Sequence, residues 1–345
     1  MPTEVLNTLH VQTQGASLHL DGECVRILLP DSQQPAPRLP LRRIETIAIY
    51  GHVTVSTELI TQCAEDGRPV TFLSRTGRFI ARLDGHAHNN ILLRHAQHAA
   101  HDDPPARLRI ARALVAGKLH NSRQLLIRAA RDATGQRQQH LRAAAAHIAA
   151  LIPDTGTAES LEQLLGTEGA AARAYFAALP HLLSPRSDLP APTGRTRRPP
   201  TDPINALLSF AYGLVRSMAH GAAENVGLDP HLGFLHGLRP GKPALALDLM
   251  EELRPAIADR FTLTLINRRQ VTAAHFATEP GGAVHLTDAG RTAVLTAWHE
   301  HRAEEREHDL LGRKVPTALI PAAQARILAR HLRGDLPTYL PWTPV

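Results

Sequence analysis

Near residue 86 the chain changes its hydrophobic rhythm, and that change limits the folds open to it. Before it, short β-branched runs alternate with turn residues, at 9–13, 24–28, 46–50 and 70–73. Beyond about residue 90, apolar residues recur with a helical period and alanine becomes frequent, as in 107–131 and 142–151. The pattern predicts an α+β chain of two parts: a small β-rich N-terminal domain over 1–85 and a larger, mainly α-helical domain over 86–345. Inside the first part, Ser56 can cap a helix over 57–65 that Asp66-Gly67-Arg68-Pro69 ends. Ser74-Arg75-Thr76-Gly77-Arg78 reads as a hairpin turn leading into a strand from Phe79. In the second part, Asp202-Pro203 is an N-cap followed by proline at the first helical position, and further helices are expected around 287–311 and 321–334.

A chain of 345 residues with 43% hydrophobic content can bury a core without disulfides or structural metals. Its two cysteines, Cys24 and Cys63, are far from any CxxC spacing, which suits a reducing cytoplasm. The first residues lack the basic and apolar regions of a signal peptide, and no apolar run approaches the roughly 20 residues that cross a bilayer. Neither secretion nor a membrane span is expected. A net charge of +6 favours an acidic partner such as nucleic acid. Two stretches concentrate that charge. Seven cations, from Arg107 to Arg131, fall in one helical stretch without an acid, and they either touch phosphates or pair with acids elsewhere in the fold. Residues 184–200 hold five prolines and four arginines against one acid, Asp188, and read as a mobile basic loop. The closing residues 336–345 carry Tyr339 and Trp342 among prolines, which suggests docking onto a surface.

Chemistry is concentrated around Gly233-Phe234-Leu235-His236 and Leu247-Asp248-Leu249-Met250-Glu251-Glu252-Leu253-Arg254-Pro255. Asp248 and Glu251, three apart, share one helical face and repel unless a cation lies between them. His236 precedes them across Gly237-Leu238-Arg239-Pro240-Gly241-Lys242-Pro243, where glycines and prolines turn the chain and Arg239 and Lys242 add positive charge. Oxygen and nitrogen donors together suit a divalent ion such as magnesium or manganese. The plain alternative is a solvated helix start whose acids answer the helix dipole. A third acid, Glu168, lies between Gly166 and Gly169 in a helical stretch, where each glycine costs about 1 kcal/mol relative to alanine. Either a ligand or another helix approaches there, or the glycines merely pack and Glu168 is solvated.

Four blocks taken in order, Thr167-Glu168-Gly169-Ala170-Ala171-Ala172-Arg173-Ala174-Tyr175-Phe176, Arg197-Arg198-Pro199-Pro200-Thr201-Asp202-Pro203-Ile204-Asn205, Gly233-Phe234-Leu235-His236 and Leu247-Asp248-Leu249-Met250-Glu251-Glu252, resemble the CRISPR-associated spacer integrases, the Cas "one" family, most closely its type I forms. The resemblance extends over essentially the whole chain, including Asn267-Arg268-Arg269 and Arg330-His331-Leu332-Arg333-Gly334-Asp335-Leu336. It implies a DNA endonuclease and integrase that joins the 3′-OH ends of captured DNA to the CRISPR repeat by transesterification. It implies that Glu168, His236, Asp248 and Glu251 are catalytic and hold Mg²⁺ or Mn²⁺, with Glu251 a ligand or an outer partner and Glu252 the weaker candidate. Arg195, Arg197, Arg198, Arg239 and Lys242 are the candidate DNA contacts. A homodimer formed through the N-terminal domain, and a heterohexamer with the small Cas "two" protein, follow from the family alone. Three other functions fit the residues: a metal-dependent nuclease on branched DNA without an integration role, a non-catalytic basic DNA scaffold, and a hydrolase of small phosphoesters.

Overall fold

The computed structural model describes residues 8–11, 13–30, 38–44, 46–74, 79–83, 85, 91–196 and 198–344. Most of the Ser74–Arg78 turn and all of Arg197 lie outside them. Two four-stranded sheets build the N-terminal part. In one, the order is β1 (Thr8–Val11), β5 (Thr46–Tyr50), β7 (Val70–Leu73) and β8 (Phe79–Leu83). Its first three strands are parallel and β8 is antiparallel, with Leu9 opposite Ile47 and Ile49 opposite Phe72. The other sheet runs β4 (Arg38–Pro40), β3 (Cys24–Leu28), β2 (Ser17–Asp21) and β6 (Thr54–Val55). All five residues of β5 are buried, as a central parallel strand covered on both faces requires. One face meets Leu18, Val25, Leu59 and Cys63, the last two from α1 (Thr57–Glu65), whose Ser56 cap accepts the Leu59 N–H at 3.3 Å.

After β8 the chain is mainly helical: α2 (Ile91–Asp102), α3 (Pro104–Arg131), α4 (Gly135–Thr157), α5 (Leu161–Leu182), α6 (Pro203–Val226), α7 (Ala244–Leu253), α8 (Arg260–Asn267), α9 (Asp288–Ala303) and α10 (Ile320–Leu332). Leu114, Leu126, Ile148, Leu208, Leu249 and Trp298 share one core. Asp202 opens α6 by accepting the Asn205 N–H at 2.8 Å, with Pro203 first in the helix, and Gly227 ends it in the left-handed conformation. The second face of the β1-β5-β7-β8 sheet rests on this helical body. There Asn225 Oδ1 accepts from Thr46 Oγ1 at 2.9 Å and Thr71 Oγ1 at 3.2 Å, all three residues buried, and Arg302 stacks on Tyr50.

Two expectations need correction. Residues 287–311 are not one helix, because α9 stops at Ala303 and Glu305–His308 (β11) pairs antiparallel with Arg313–Pro316 (β12) around Gly312 at φ 58°. The charged run Glu304 to Asp309 reads equally as a polar helix face, and only its partner strand makes it extended. A second hairpin, Phe276–Thr278 (β9) with Val284–Leu286 (β10), was masked in the same way by its short length. The basic segment before α6 lacks regular structure, yet its described residues are hydrogen-bonded to the helical body. Ser184 N–H donates to Asn267 Oδ1 at 2.7 Å, Asp188 Oδ2 accepts from Ala273 N–H at 3.1 Å, and Pro200 O accepts from Val284 N–H at 2.9 Å. Among the described residues, no helix is long and apolar enough to cross a membrane.

Candidate active site

Asp248 lies in the second turn of α7 and is fully buried, so it is not the solvated helix start that its sequence also allowed. Its Oδ2 accepts the N–H groups of Phe234 at 2.5 Å and Leu235 at 3.0 Å, and its Oδ1 accepts that of His236 at 3.0 Å. The same Oδ1 is 2.7 Å from His236 Nδ1. Facing a carboxylate, Nδ1 carries the ring proton and leaves the Nε2 lone pair free, the arrangement that prepares an imidazole as a metal ligand. The loop that delivers His236 is held from its other side as well. Its carbonyls at Gly233 and Phe234 are bonded by His101 Nδ1 at 2.7 Å and Arg107 Nε at 2.8 Å. Gly233 has no room for a side chain, since a Cβ there would fall 2.6 Å from Asp248 Oδ2 and 2.7 Å from the Ala244 carbonyl carbon.

One turn further along α7, Glu251 is 3% exposed and points its Oε1 toward His236 Nε2 at 3.8 Å. Arg254 pairs with that oxygen at 3.0 Å, and Lys118 Nζ lies 2.6 Å from Oε2. Burial pushes the Glu251 carboxyl up, but Arg254, Lys118 and His236 together outweigh it and bring it down to about 2. Lys118 also bonds Glu168 Oε1, so one ammonium spans carboxylates from α5 and α7, and Glu168 is half-buried and ion-paired. Nor do the glycines beside it serve helix packing. A Cβ on Gly166 would meet nothing within 4 Å, and one on Gly169 would meet only Arg173 Nη1 at 3.7 Å, which leaves open space beside the carboxylate.

The donors suit a hard divalent cation: two carboxylates and an imidazole held in place by Asp248. The place between Glu168 and Glu251 is occupied by an ammonium, which shows that a cation is electrostatically at home there. As the side chains stand, no group of three or more His, Cys, Asp or Glu among the described residues is spaced to hold a metal. Asp248 has both oxygens engaged by protein donors and is placed to orient His236.

Three members of the set were not legible as site residues in the sequence. Lys118 and Arg107 are two of the one-signed cations of α3, and the structure decides their role in favour of internal partners, with Arg112 also donating to the Ala158 carbonyl. Arg254 follows Glu251 by three residues, a spacing that signals a helical ion pair. Of the expected DNA contacts, Arg198 and Arg239 are exposed and Lys242 is half-buried beside the site loop. Arg195 is committed inward, donating to Asn205 Oδ1 at 2.8 Å and Ser209 Oγ at 3.1 Å and stacking on Tyr212. A cavity lined by Lys118, Glu168, Tyr175, Tyr212, Arg254 and Asp259 adjoins the cluster.

Comparison with known proteins agrees with this architecture. The family model described as CRISPR associated protein Cas1 matches residues 9–300. The chain is 45% identical over 339 residues to CRISPR-associated endonuclease Cas1 1 of Moorella thermoacetica, covering 98% of each. It is likewise 45% identical over 345 residues to CRISPR-associated endonuclease Cas1 2 of Rhodospirillum rubrum, again covering 98% of each. Among solved structures, a casposase bound to integration product superposes with a TM-score of 0.80 at 23% identity, over 97% of this chain and 98% of that one. The chain therefore belongs to the CRISPR-associated Cas1 family.

Proposed function

We propose that this chain is a metal-dependent DNA integrase of CRISPR adaptation, joining the 3′-OH ends of captured DNA fragments to the CRISPR repeat. The observation that carries the reading is that Glu251 links the other two candidates: Lys118 bridges it to Glu168, and its Oε1 faces His236 Nε2 at 3.8 Å. Its relatives' names as CRISPR-associated endonucleases point the same way. Glu168, Glu251 and His236 would hold Mg²⁺ or Mn²⁺, with Asp248 fixing the imidazole and Arg254 fixing Glu251. When bound, the ion neutralises charge on the scissile phosphate and lowers the pKa of the attacking hydroxyl. In the reaction one P–O bond forms to the incoming 3′ oxygen as another breaks at the repeat border, so bond energy is conserved and no external energy source is needed. With water as the nucleophile, the same groups give hydrolysis, which accounts for endonuclease activity.

Arg198, Arg239 and Lys242, with Arg197, are assigned to phosphate contacts that position the strands, whereas Arg195 is taken up by Asn205, Ser209 and Tyr212. The partners of the proposed complex are DNA, a second copy joined through the N-terminal domain, and the small Cas2 protein in a heterohexamer. A partial Cas6-RT-Cas1–Cas2 complex, whose matching chain has a TM-score of 0.81 at 23% identity, supports the Cas2 partner. The test is strand transfer into a purified repeat duplex with Mg²⁺ or Mn²⁺. Joined product that disappears in His236→Ala sustains the proposal. Cleavage without joining reduces it to a nuclease, and unchanged activity in His236→Ala leaves only a DNA-binding scaffold.

A further inference from the structure

Behind the acidic face of α7, Leu336 to Pro344 return across the protein and bury Tyr339 (1% exposed) and Trp342 (4% exposed). They converge on Glu252, the neighbour of Glu251, which is fully buried. Its Oε1 accepts from Tyr339 OH and from Gln324 Nε2, each at 2.7 Å, and its Oε2 accepts the Trp342 N–H at 3.1 Å. Asn121 Nδ2 donates both to the Glu252 carbonyl at 2.8 Å and to the Trp342 carbonyl at 2.9 Å. Trp342 Nε1 closes the segment onto the Glu307 carbonyl at 3.0 Å. Gly117 of α3 leaves the space for this passage, because a Cβ there would lie 2.5 Å from Pro341 Cβ.

α7 has only ten residues and runs into a π-helical turn, Arg254–Asp259. So short an element has its azimuth set by anchors rather than by its own length. At one end Asp248 ties it to the His236 loop. At the other end Glu252 ties it to the returning segment. Successive side chains on a helix project about 100° apart, so fixing Glu252 fixes the direction in which Glu251 faces Lys118 and His236. Asn121, one turn after Lys118 on α3, bonds both α7 and the returning segment.

We propose that residues 336–344 are a positioning strap for α7: docked on Glu252, they hold the Glu251 carboxylate where it serves a divalent cation, and so act on metal binding without touching the metal. The proposal rests on Glu168, His236 and Glu251 as the metal-holding set. The probe is Mn²⁺, titrated calorimetrically into the full chain well below its melting temperature, with DNA affinity in EDTA measured beside it. Tyr339→Phe, which removes one donor to Glu252, should weaken Mn²⁺ binding about 3–10-fold, somewhat less than loss of a group that touches a ligand directly. Trp342→Ala should weaken it further. Trp342→Phe keeps most of the packing that seats the 342 backbone N–H on Glu252 and should retain affinity, and metal-free DNA binding should be unchanged throughout. Asn225→Leu, which removes the acceptor shared by Thr46 and Thr71 and is bonded to none of the Glu252 partners, is the control for lowered stability alone. Wild-type Mn²⁺ affinity in Tyr339→Phe and Trp342→Ala, with melting lowered as in the control, overturns the strap. Absence of Mn²⁺ binding in the unsubstituted chain overturns the metal reading, and this one with it.

Discussion

Asp248 meets His236 twice through one oxygen: Oδ1 accepts the backbone N–H at 3.0 Å and lies 2.7 Å from the ring Nδ1. Backbone and side chain of the histidine are thus positioned by the same carboxylate, and its other oxygen fixes the two residues before it. The buried acid is surrounded by donors only.

Asp248→Asn should therefore be damaging despite its near-identical shape. An amide replaces one acceptor oxygen with a donor, leaving at least one buried N–H unsatisfied at a cost of about 1–3 kcal/mol and releasing the imidazole tautomer. Metal affinity should fall about 10–100-fold, with a matching loss of strand transfer. Calorimetric titration of Mn²⁺ and a joining assay would reveal this, and wild-type values in both would contradict the assignment.

Gly233→Ala tests the same contact from the other side. The new methyl must displace either Asp248 Oδ2 or the first turn of α7, neither of which is a flexible side-chain end. A destabilisation of about 1–3 kcal/mol is expected, together with reduced activity in the protein that remains folded. Chemical denaturation and the joining assay would measure the two effects separately.

Lys118→Met removes the internal cation from between Glu168 and Glu251. The metal-free protein should melt at a lower temperature, because the nearly buried Glu251 retains only Arg254 and His236 nearby. Added Mn²⁺ should raise that temperature more than it does in the unsubstituted chain, since no ammonium must be displaced. Equal thermal shifts in the two proteins would show that Lys118 does not compete with the ion.

Asp259 supplies a pH prediction in the cavity beside the acidic cluster. Burial raises its pKa from 3.8 to about 6, although hydrogen bonds from Tyr212 at 2.7 Å and Tyr175 at 2.8 Å, and the charges of Arg254 and Arg195, pull it down. The folded state therefore binds this proton more tightly than the unfolded chain. Its contribution is full below pH 3.8 and is lost as pH rises through about 6, a change of order 3 kcal/mol. Asp259→Asn should flatten the stability profile between those values. An unaltered slope in denaturant unfolding would place the titration elsewhere.

Local signals were legible wherever neighbouring residues settle the structure. Ser56 and Asp202 cap the helices their side chains suggest, and β3, β5 and β7 occupy the β-branched runs. Tyr339 and Trp342 are docked, as an aromatic pair among prolines suggested. Less legible were β11 and β12, whose polar residues are extended because they bond to one another across Gly312. Lys118 was visible as a charge but not as a bridge, since its partners lie on two other helices.

The sequence by itself determined the two-part α+β plan, the family and the acids and histidine of the candidate site, because periodicity, capping and ordered motifs are written in local residue spacing. Only the tertiary structure decided that Asp248 orients His236, that Lys118 spans Glu168 and Glu251, and that Glu252 anchors the closing segment. Those roles depend on which buried charge finds which partner when helices distant in sequence pack together, and removal from water makes each pairing obligatory.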